Sequence, residues 1–465
     1  MHKLKFKTYF SKKRRMRRQH IPYKYPTLCI SIILMLSLIC AHYLYPFIST
    51  KSCLLVTTIC WATSIATYLF GIHRLFLTSK HLRLYSLCKS SIILLCIFSM
   101  GFTRGVTSER SISSSNTPYP LYTTNQLSPI DRCKLKSQAM LTNLREEMRA
   151  HGIEHQELAI ISAMTLGDKS MLTPETKNTF SITGASHVLA ISGLHIGLIF
   201  QLFVFILGGK RNIRHSIPLS LTLVWAYVFL IGAPASAIRS ATMLSVYSFA
   251  LIARRPSINI NNLSLAFIFL LMAYPPFLFE ISFQMSFLAV GAILWLYKPI
   301  TSLIHPHNRL KKWAWSITAI SISAQIGTIP IIIYYFGRIS CFSLLTNFIA
   351  IPAATIILYF TITLWLCLLL TSIPIISPAF SLISTLIAKV LHETAHITNE
   401  SLSLFSLLPG ANIENIKISI LQLYLIYMSI AAGYLLIHKL HRCHSHRNHP
   451  LASFRKDYNS QANQT

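Results

Sequence analysis

The sequence has 465 residues, of which 53% are apolar or aromatic and only 12% are charged, and its mean hydropathy is +0.52. A soluble globular domain carries about 25% charged residues, so this composition excludes a soluble enzyme with one compact core, and it is also too apolar for a disordered chain. Lysine and arginine total 42 against 13 acidic residues, which in a membrane protein indicates basic loops, an anionic partner, or both.

Mostly apolar windows of about 20 residues predict an all-α fold, a polytopic transmembrane helical bundle with about 12 spans. Residues 340–351 are apolar but too short to cross a membrane, so they predict an interfacial or re-entrant piece. The first three spans form an N-terminal group over 27–102, and the last two form a C-terminal group over 376–438. The predicted spans are 27–48, 52–72, 84–102, 187–209, 216–234, 236–253, 261–279, 281–297, 314–336, 352–372, 376–396 and 416–438.

The distribution of lysine and arginine indicates the orientation of this bundle. With the N-terminus inside, the predicted inside segments hold 27 of these residues and the outside segments hold 12. Basic loops stay on the cytoplasmic side, so we expect both termini inside. We interpret the basic N-terminal tail, 1–26, as a cytosolic anchor that meets anionic lipid headgroups, in preference to a nucleic-acid-binding arm.

The long segment 103–186 is predicted to lie outside the membrane. Its first part, 103–132, is rich in Ser, Thr and Pro, which is typical of a flexible linker. Apolar residues at helical spacing over 133–166 predict two amphipathic helices broken at Gly152. A further helix is expected to begin at Thr173, because this capping hydroxyl is followed by a proline and an acid.

The fourth predicted span opens with an unusual set of polar residues. On a helical wheel His187, Ser192 and His195 fall on one side, and polar groups inside a span normally face protein or water. This side is consistent with a substrate path or a proton site, and alternatively with hydrogen bonds between helices. No acid in the span completes a metal shell or orients a Ser–His catalytic pair. Gly193 and Gly197 predict a face for close helix approach.

Arg239 is the one arginine that falls inside a predicted span. No acid within a span can pair with it, and Glu280 lies at an outer edge. The side chain could snorkel to the outer surface. Alternatively, its planar guanidinium could point into a polar cavity and bind an anion such as phosphate.

Further polar side chains recur in later segments. Gln284, Gln325 and Asn347 lie in three successive segments, and each alone is typical of interhelical packing. Pro330 is expected to free backbone carbonyls and to kink the ninth span. The recurrence over several segments favours a shared, water-lined cavity.

These residues closely resemble the signature of the ComEC competence-protein family. The block from His187 to His195 is the most specific part, and Asp168 lies in a stretch, LGDK, that precedes it. The resemblance covers about residues 135–370, which we call the competence-type core. Smaller matches follow in the family's order at Pro234 to Arg239, Phe283 to Phe287, Gln325, Pro330, Asn347 and Pro352.

The resemblance implies a channel component of the bacterial inner membrane that conducts single-stranded DNA into the cytoplasm during natural transformation. It implies a cytosolic DNA motor and an outer DNA receptor as partners. We also expect single-stranded DNA and membrane lipid as partners, and a homo-oligomer stays open. The residues that we expect along the substrate path are His187, Ser192, His195, Arg239, Gln284, Gln325 and Asn347. Those that we expect to be structural are Asp168, Gly193, Gly197, Pro234, Pro330 and Pro352.

The sequence departs from the family at both sides of the core. Family members are similar in placing an oligonucleotide-binding barrel before it, and many carry a metallo-β-lactamase-like domain after it. Segment 103–132 is too short for a five-stranded barrel. The tail, 439–465, has three histidines in a metal-like spacing, but Asn448 stands where that motif has Asp, so we predict a basic cytosolic tail that holds no metal.

We expect no cofactor and no enzymatic activity, because the sequence has no P-loop for ATP and no visible nuclease residues. Two alternatives stay open. One is a permease for a small anionic metabolite or a lipid-linked precursor. The other is an intramembrane enzyme that uses His187, Ser192 and His195.

Overall fold

The computed structural model describes residues 26–73, 79–114, 142, 145–153, 155–208, 213–253, 259–371 and 377–436. Nearly all regular structure in these residues is helical, which confirms the predicted all-α membrane fold. The C-terminal tail and all but the last residue of the N-terminal tail lie outside the described residues.

Apart from the long stretch between residues 114 and 155, the helices follow one another with short connections. A 3-10 helix, Pro275–Phe279, lies between α9 and α10, and two short strands, β1 (Ile339–Ser340) and β2 (Asn412–Ile413), pair antiparallel. The helices are α1 (Pro26–Leu44), α2 (Thr50–His73), α3 (Ser79–Ser114), α4 (His155–Leu166), α5 (Pro174–Ile182), α6 (Gly193–Ile206), α7 (Ile213–Leu230), α8 (Ala235–Ile252), α9 (Asn259–Ala273), α10 (Ile281–Thr301), α11 (Arg309–Phe336), α12 (Ser343–Thr371), α13 (Ser377–Ser406) and α14 (Ile420–Leu436).

Within the described residues, six helices are long and apolar enough to cross a membrane. Each of them overlaps a predicted span. The other predicted spans also fall on helices, which are not among these six, so the total of twelve stays a prediction. The six are Pro26–Leu44, Ile92–Glu109, Ala235–Ile252, Ile281–Thr301, Arg309–Phe336 and Ser343–Leu368.

The fourth predicted span begins later than the sequence predicted. Residues 183–192 form turns, and α6 begins at Gly193 because Ser192, in an extended conformation, caps it. His187 therefore precedes the helix, and the predicted helical face shared by His187 and His195 is wrong.

The re-entrant piece predicted at 340–351 is also wrong. Most of it belongs to α12, which begins at Ser343 and continues through Pro352. A proline removes one backbone hydrogen bond, but a helix of 29 residues keeps the bonds on both sides of it. The apolar stretch is short because it is only the first part of this longer helix.

The predicted linker 103–132 begins as helix, since α3 runs on to Ser114, and the remainder of the linker lies outside the described residues. The C-terminal half of α3 packs closely against α1. A Cβ atom at Gly105 would lie 2.6 Å from the Cβ of Ala41, so only a glycine permits this approach.

Helix α4 is buried on all of its faces. Every residue from Glu157 to Leu166 is buried, in a core formed with α5, α12 and α13. The Nδ1 atom of His396 on α13 lies 3.0 Å from the Glu157 carboxylate. The break at Gly152, where φ is +84°, is as predicted, but the amphipathic character predicted for this helix is wrong.

Several helix ends meet at one end of the bundle, which we call the polar end. It comprises the turns 183–192, the first turns of α6, α8, α10 and α12, the 3-10 helix Pro275–Phe279, and the last turn of α11. The turns 183–192 contact the start of α12, and the start of α8 contacts the start of α10. The predicted substrate-path residues lie on or beside these elements, and in the predicted orientation this end faces outward.

Candidate functional site

Arg239 is the fifth residue of α8, whose capping residue is Pro234. Its side chain is 2% exposed. The Nη2 atom donates hydrogen bonds to the hydroxyl and the carbonyl of Ser282, at 2.6 and 3.2 Å. Nε and Nη1 are buried and have no hydrogen-bond partner among the described residues. The guanidinium thus points into the bundle and does not snorkel.

Ser192 and His195 form a capping arrangement at the start of α6. His195 is fully buried, and its Nδ1 atom lies 2.9 Å from the Ser192 hydroxyl and accepts a bond of 3.4 Å from the Ser192 backbone N–H. Since Nδ1 accepts from a backbone N–H, the neutral ring carries its proton on Nε2. Nε2 is also buried and has no partner among the described residues.

The start of α6 packs directly against α8. A Cβ atom at Gly193 would lie 3.3 Å from the hydroxyl of Ser240, the residue after Arg239. Gly193 therefore permits the helix contact that places the His195 cap beside the arginine helix. Gly197 differs, because a Cβ atom there would meet no described atom within 4 Å.

Gln284 lies next to Ser282 in the first turn of α10 and connects three elements. Its Nε2 atom donates to the Leu278 carbonyl in the 3-10 helix, at 3.0 Å, and its Oε1 atom accepts from the Tyr335 hydroxyl on α11, at 3.2 Å. Gln284 thus holds the 3-10 helix and α11 against the start of α10, close to the contact between Arg239 and Ser282.

The turns 183–192 lie on the start of α12. Gly184 has φ of +77°, and a Cβ atom there would lie 2.6 Å from the Cβ of Ser343. The Thr346 hydroxyl donates to the Thr183 carbonyl at 2.8 Å. The exposed His187 ring lies 3.1 Å from the Gly184 carbonyl and holds the turn closed.

Gln325 and Asn347 connect α11 with α12. The Nε2 atom of Gln325 donates to the Ser343 hydroxyl at 3.0 Å, and the Nδ2 atom of Asn347 donates to the Ser321 hydroxyl at 3.2 Å. The Oδ1 atom of Asn347 is buried and has no partner among the described residues. These amides stabilise the helix pair, and Asn347 retains one acceptor.

Pro330 lies inside α11, which continues through it. In the turn that precedes it, the Gly327 carbonyl accepts a hydrogen bond of 2.9 Å from the Tyr427 hydroxyl on α14. A neighbouring side chain thus supports the backbone next to the proline, as membrane helices require.

Asp168 lies apart from the other predicted site residues. It forms an ion pair of 2.6 Å with Arg145 and accepts from the Ser170 backbone N–H at 2.8 Å. Partial burial alone would raise the pKa of Asp168, but the bonds from Ser170 and the charge of Arg145 outweigh it and lower that pKa below its ordinary value. The carboxylate therefore holds the loop before α5.

The structure packs the starts of α6, α8 and α10 side by side, and these three helix starts form one wall of the polar end. They carry Ser192, His195, Arg239 and Gln284. The structure joins His187 and Gln325 through the start of α12, and it leaves Asp168 outside. Sequence reasoning missed the serines that receive these contacts, which are Ser240, Ser282 and Ser343. Their signal was weak, because serine is common in membrane helices and its partner cannot be read from a single span.

The unpaired groups on this wall share one chemical property. Nε and Nη1 of Arg239 and Nε2 of His195 are all hydrogen-bond donors. Buried donors are normally paired, so these three nitrogens still lack acceptor oxygens. Arg239 forms no ion pair with a described carboxylate, and an anionic ligand would supply its missing charge partner.

Residues 164–440 match the model of a family described as Competence protein. ComE operon protein 3 of Bacillus subtilis is 33% identical over 198 residues, which are 42% of this chain and 24% of that protein. Recombination protein 2 of Haemophilus influenzae is 28% identical over 223 residues, which are 45% of this chain and 28% of that protein. The matched part thus spans only about a quarter of these relatives, and no solved structure matches the chain.

Proposed function

This chain belongs to the Competence protein family, and we propose from that membership that it takes part in DNA uptake as the membrane core through which a single strand enters the cytoplasm. The bacterial inner membrane is the location that this role requires. A cytosolic motor, an outer DNA receptor and a second copy of the chain are the proposed partners.

The unpaired donors of Arg239 and His195 are the observation that supports this proposal most directly. A DNA strand presents a phosphate at every nucleotide, and each phosphate supplies acceptor oxygens and a negative charge. Arg239 can donate two further bonds while Nη2 stays on Ser282. The contact is independent of base sequence, as a channel for DNA of any sequence requires.

Aromatic side chains at the polar end supply a second element of single-strand binding. Tyr335 and Phe336 at the end of α11 are 40% and 50% exposed, and Tyr274 beside the 3-10 helix is 45% exposed. Exposed rings stack on bases without regard to sequence. The Tyr335 hydroxyl is held by Gln284, which fixes one ring close to the Arg239 wall.

The proposal is tested by deleting the gene in a naturally transformable host and measuring entry of labelled DNA and recovery of transformants. We expect DNA to stay bound outside the cell and transformants to disappear, with both restored by the full chain. Normal transformation of the deletion strain would reject the channel role. Loss of growth on one anionic nutrient with normal DNA entry would instead support the permease.

The Ser192–His195 contact does not favour the enzyme alternative. The His195 Nδ1 atom that faces the serine also accepts the Ser192 backbone N–H, as a helix cap does. No described carboxylate orients Nε2, and a Ser–His pair needs such a partner for catalysis.

A further inference from the structure

A second candidate binding site lies at the end of the bundle opposite the polar end. α10 begins at the polar end, so the loop 302–308 that follows it, together with the start of α11, belongs to the opposite end. A cavity of about 480 Å³ lies between this loop and the first turns of α11, a size typical of small-ligand sites. It is lined by Ile304, Pro306, His307, Asn308, Lys311, Ala314, Trp315 and Thr318.

The surroundings of this cavity are strongly basic. Lys311 lines it, and Lys298, Arg309 and Lys312 lie within the adjoining helix ends. No Asp or Glu occurs in the sequence between Glu280 and Glu393. The cations therefore lack a carboxylate partner along this whole stretch, and a ligand of complementary charge is an anion.

The rim of the cavity is apolar and exposed. Leu303 and Leu310 are each 74% exposed, Ile304 is 50% exposed and Trp313 is 49% exposed. The two helices that carry them, α10 and α11, are among those able to cross a membrane. Indole rings and basic side chains concentrate where acyl chains meet headgroups, so this rim has the composition of the membrane boundary.

We propose that this cavity binds the phosphate headgroup of an anionic phospholipid, with Lys311 on the phosphate and the acyl chains along the leucine rim. A free phosphate ion would leave the exposed aliphatic rim without a partner. A DNA strand requires ring faces on which bases stack, whereas most exposed apolar side chains here are aliphatic. This site is independent of the channel proposal, because it shares no residue with the polar end.

The test compares two neighbouring lysines in the full chain, purified in a neutral detergent. Lys311 lines the cavity and Lys312 does not, so Lys311→Gln and Lys312→Gln remove the same charge at adjacent positions. We expect Lys311→Gln to weaken binding of dioleoyl phosphatidylglycerol about tenfold, the loss of one bond to a charged group. Lys312→Gln should change it less than about twofold, because Lys312 lies outside the cavity lining and acts only as a more distant, screened charge.

Native mass spectrometry gives these affinities, and competition on the wild-type chain identifies the ligand class. Phosphatidylglycerol should displace bound lipid, whereas inorganic phosphate and an oligothymidylate should not. Equal weakening by the two variants would overturn the proposal, and so would displacement by phosphate or oligothymidylate at the concentration at which the lipid acts. Should Lys311→Gln fail to accumulate, the competition on the wild-type chain decides alone.

Discussion

Arg239 is buried with two of its three nitrogens unpaired, an arrangement that costs stability. Removing a charged group from water costs several kcal/mol in real proteins unless partners replace the lost water. Here a single serine supplies both hydrogen bonds. A leucine in the same place would avoid this cost, so we attribute the arginine to binding and not to folding.

We therefore predict that Arg239→Ala lowers DNA entry at least tenfold at equal abundance in the membrane, since a bond to a charged group contributes about 1.5–3 kcal/mol. Arg239→Lys should recover part of the activity, because it keeps the charge but loses the planar fork. Uptake of labelled DNA by strains carrying each variant measures both effects.

Arg104 provides the matched control for this experiment. It is an exposed arginine on α3 whose guanidinium donates to the backbone carbonyls of Met272 and Ala273, at 3.3 and 3.0 Å. Arg104→Ala removes the same charge near Tyr274 and leaves the contact between Arg239 and Ser282 in place. If Arg104→Ala and Arg239→Ala reduced uptake equally, a general loss of positive charge would explain both, and the phosphate contact would be wrong.

For His195 we predict that its two ring nitrogens have separable roles. His195→Gln keeps a side chain that can cap Ser192, because glutamine is a normal partner in a capping box. His195→Leu removes the cap, at a cost of about 0.5–2 kcal/mol. The unfolding temperature in detergent should therefore fall for Leu and stay near wild type for Gln.

DNA uptake should fall for both His195 variants, because glutamine does not place a donor where Nε2 lies. A merely structural role predicts the opposite, that uptake follows the unfolding temperature and that His195→Gln is active. The pair of readouts thus distinguishes a donor to the substrate from a helix cap.

How far single residues can be predicted from the sequence depends on how unusual they are in a membrane helix. A charge or a histidine among apolar residues is rare, which identified Arg239 and His195. Ser282 and Ser343 could not be identified, because their roles arise from partners 43 and 18 residues away in the chain. Such pairings are made by the packing of helices and leave no local pattern.

At the scale of helices, the contact between α10 and α11 depends on Gly327. A Cβ atom there would lie 2.6 Å from the Cβ of Ala292 and 2.7 Å from the Leu288 carbonyl oxygen. A backbone oxygen cannot move aside cheaply, so Gly327→Ala should destabilise the protein by about 1–3 kcal/mol. A lower unfolding temperature of the purified chain would show it.

Gly197→Ala is the matched control, since it makes the same change inside α6 where a Cβ atom meets nothing described within 4 Å. Alanine favours a helix over glycine by about 0.5–1 kcal/mol, so this variant should be neutral or slightly more stable. Equal losses in Gly327→Ala and Gly197→Ala would mean that close helix approach does not determine the effect.

Hydropathy predicted where helices lie better than where they begin. The edges of α8 agree with the predicted span within one residue, whereas α6 begins at Gly193 because Ser192 and a histidine form its cap. That cap lacks the usual Glu or Gln, so its signal was overlooked. The full burial of α4 could not be predicted either, because helical periodicity does not reveal that later helices cover the polar side as well.

For the whole molecule, 42 basic residues stand against 13 acidic residues, a formal net charge of +29. This charge predicts that the affinity for single-stranded DNA falls as the salt concentration rises. Each phosphate contact with a single strand contributes about −0.7 to the slope of log affinity against log salt. Arg239→Ala should therefore make this slope shallower by about 0.7. The measurement uses the purified chain in neutral detergent with an oligothymidylate.

Lys311→Gln is the control for the salt measurement, because it removes a charge at the opposite end and should leave the slope unchanged. An unchanged slope for Arg239→Ala, together with lost uptake, would show that the arginine acts on the fold and not on a phosphate.

The burial of α4 also constrains how the protein is made. Two of its covering helices, α12 and α13, begin 188 and 222 residues after the start of α4, so α4 leaves the ribosome long before these two neighbours exist. Apolar contacts between distant segments form late, and until they form this short helix must be sheltered by lipid or by the insertion machinery. A nascent chain stopped before residue 343 would lack both α12 and α13 and would expose α4 to membrane proteases. The first half of the chain therefore becomes stable only after the second half has been made.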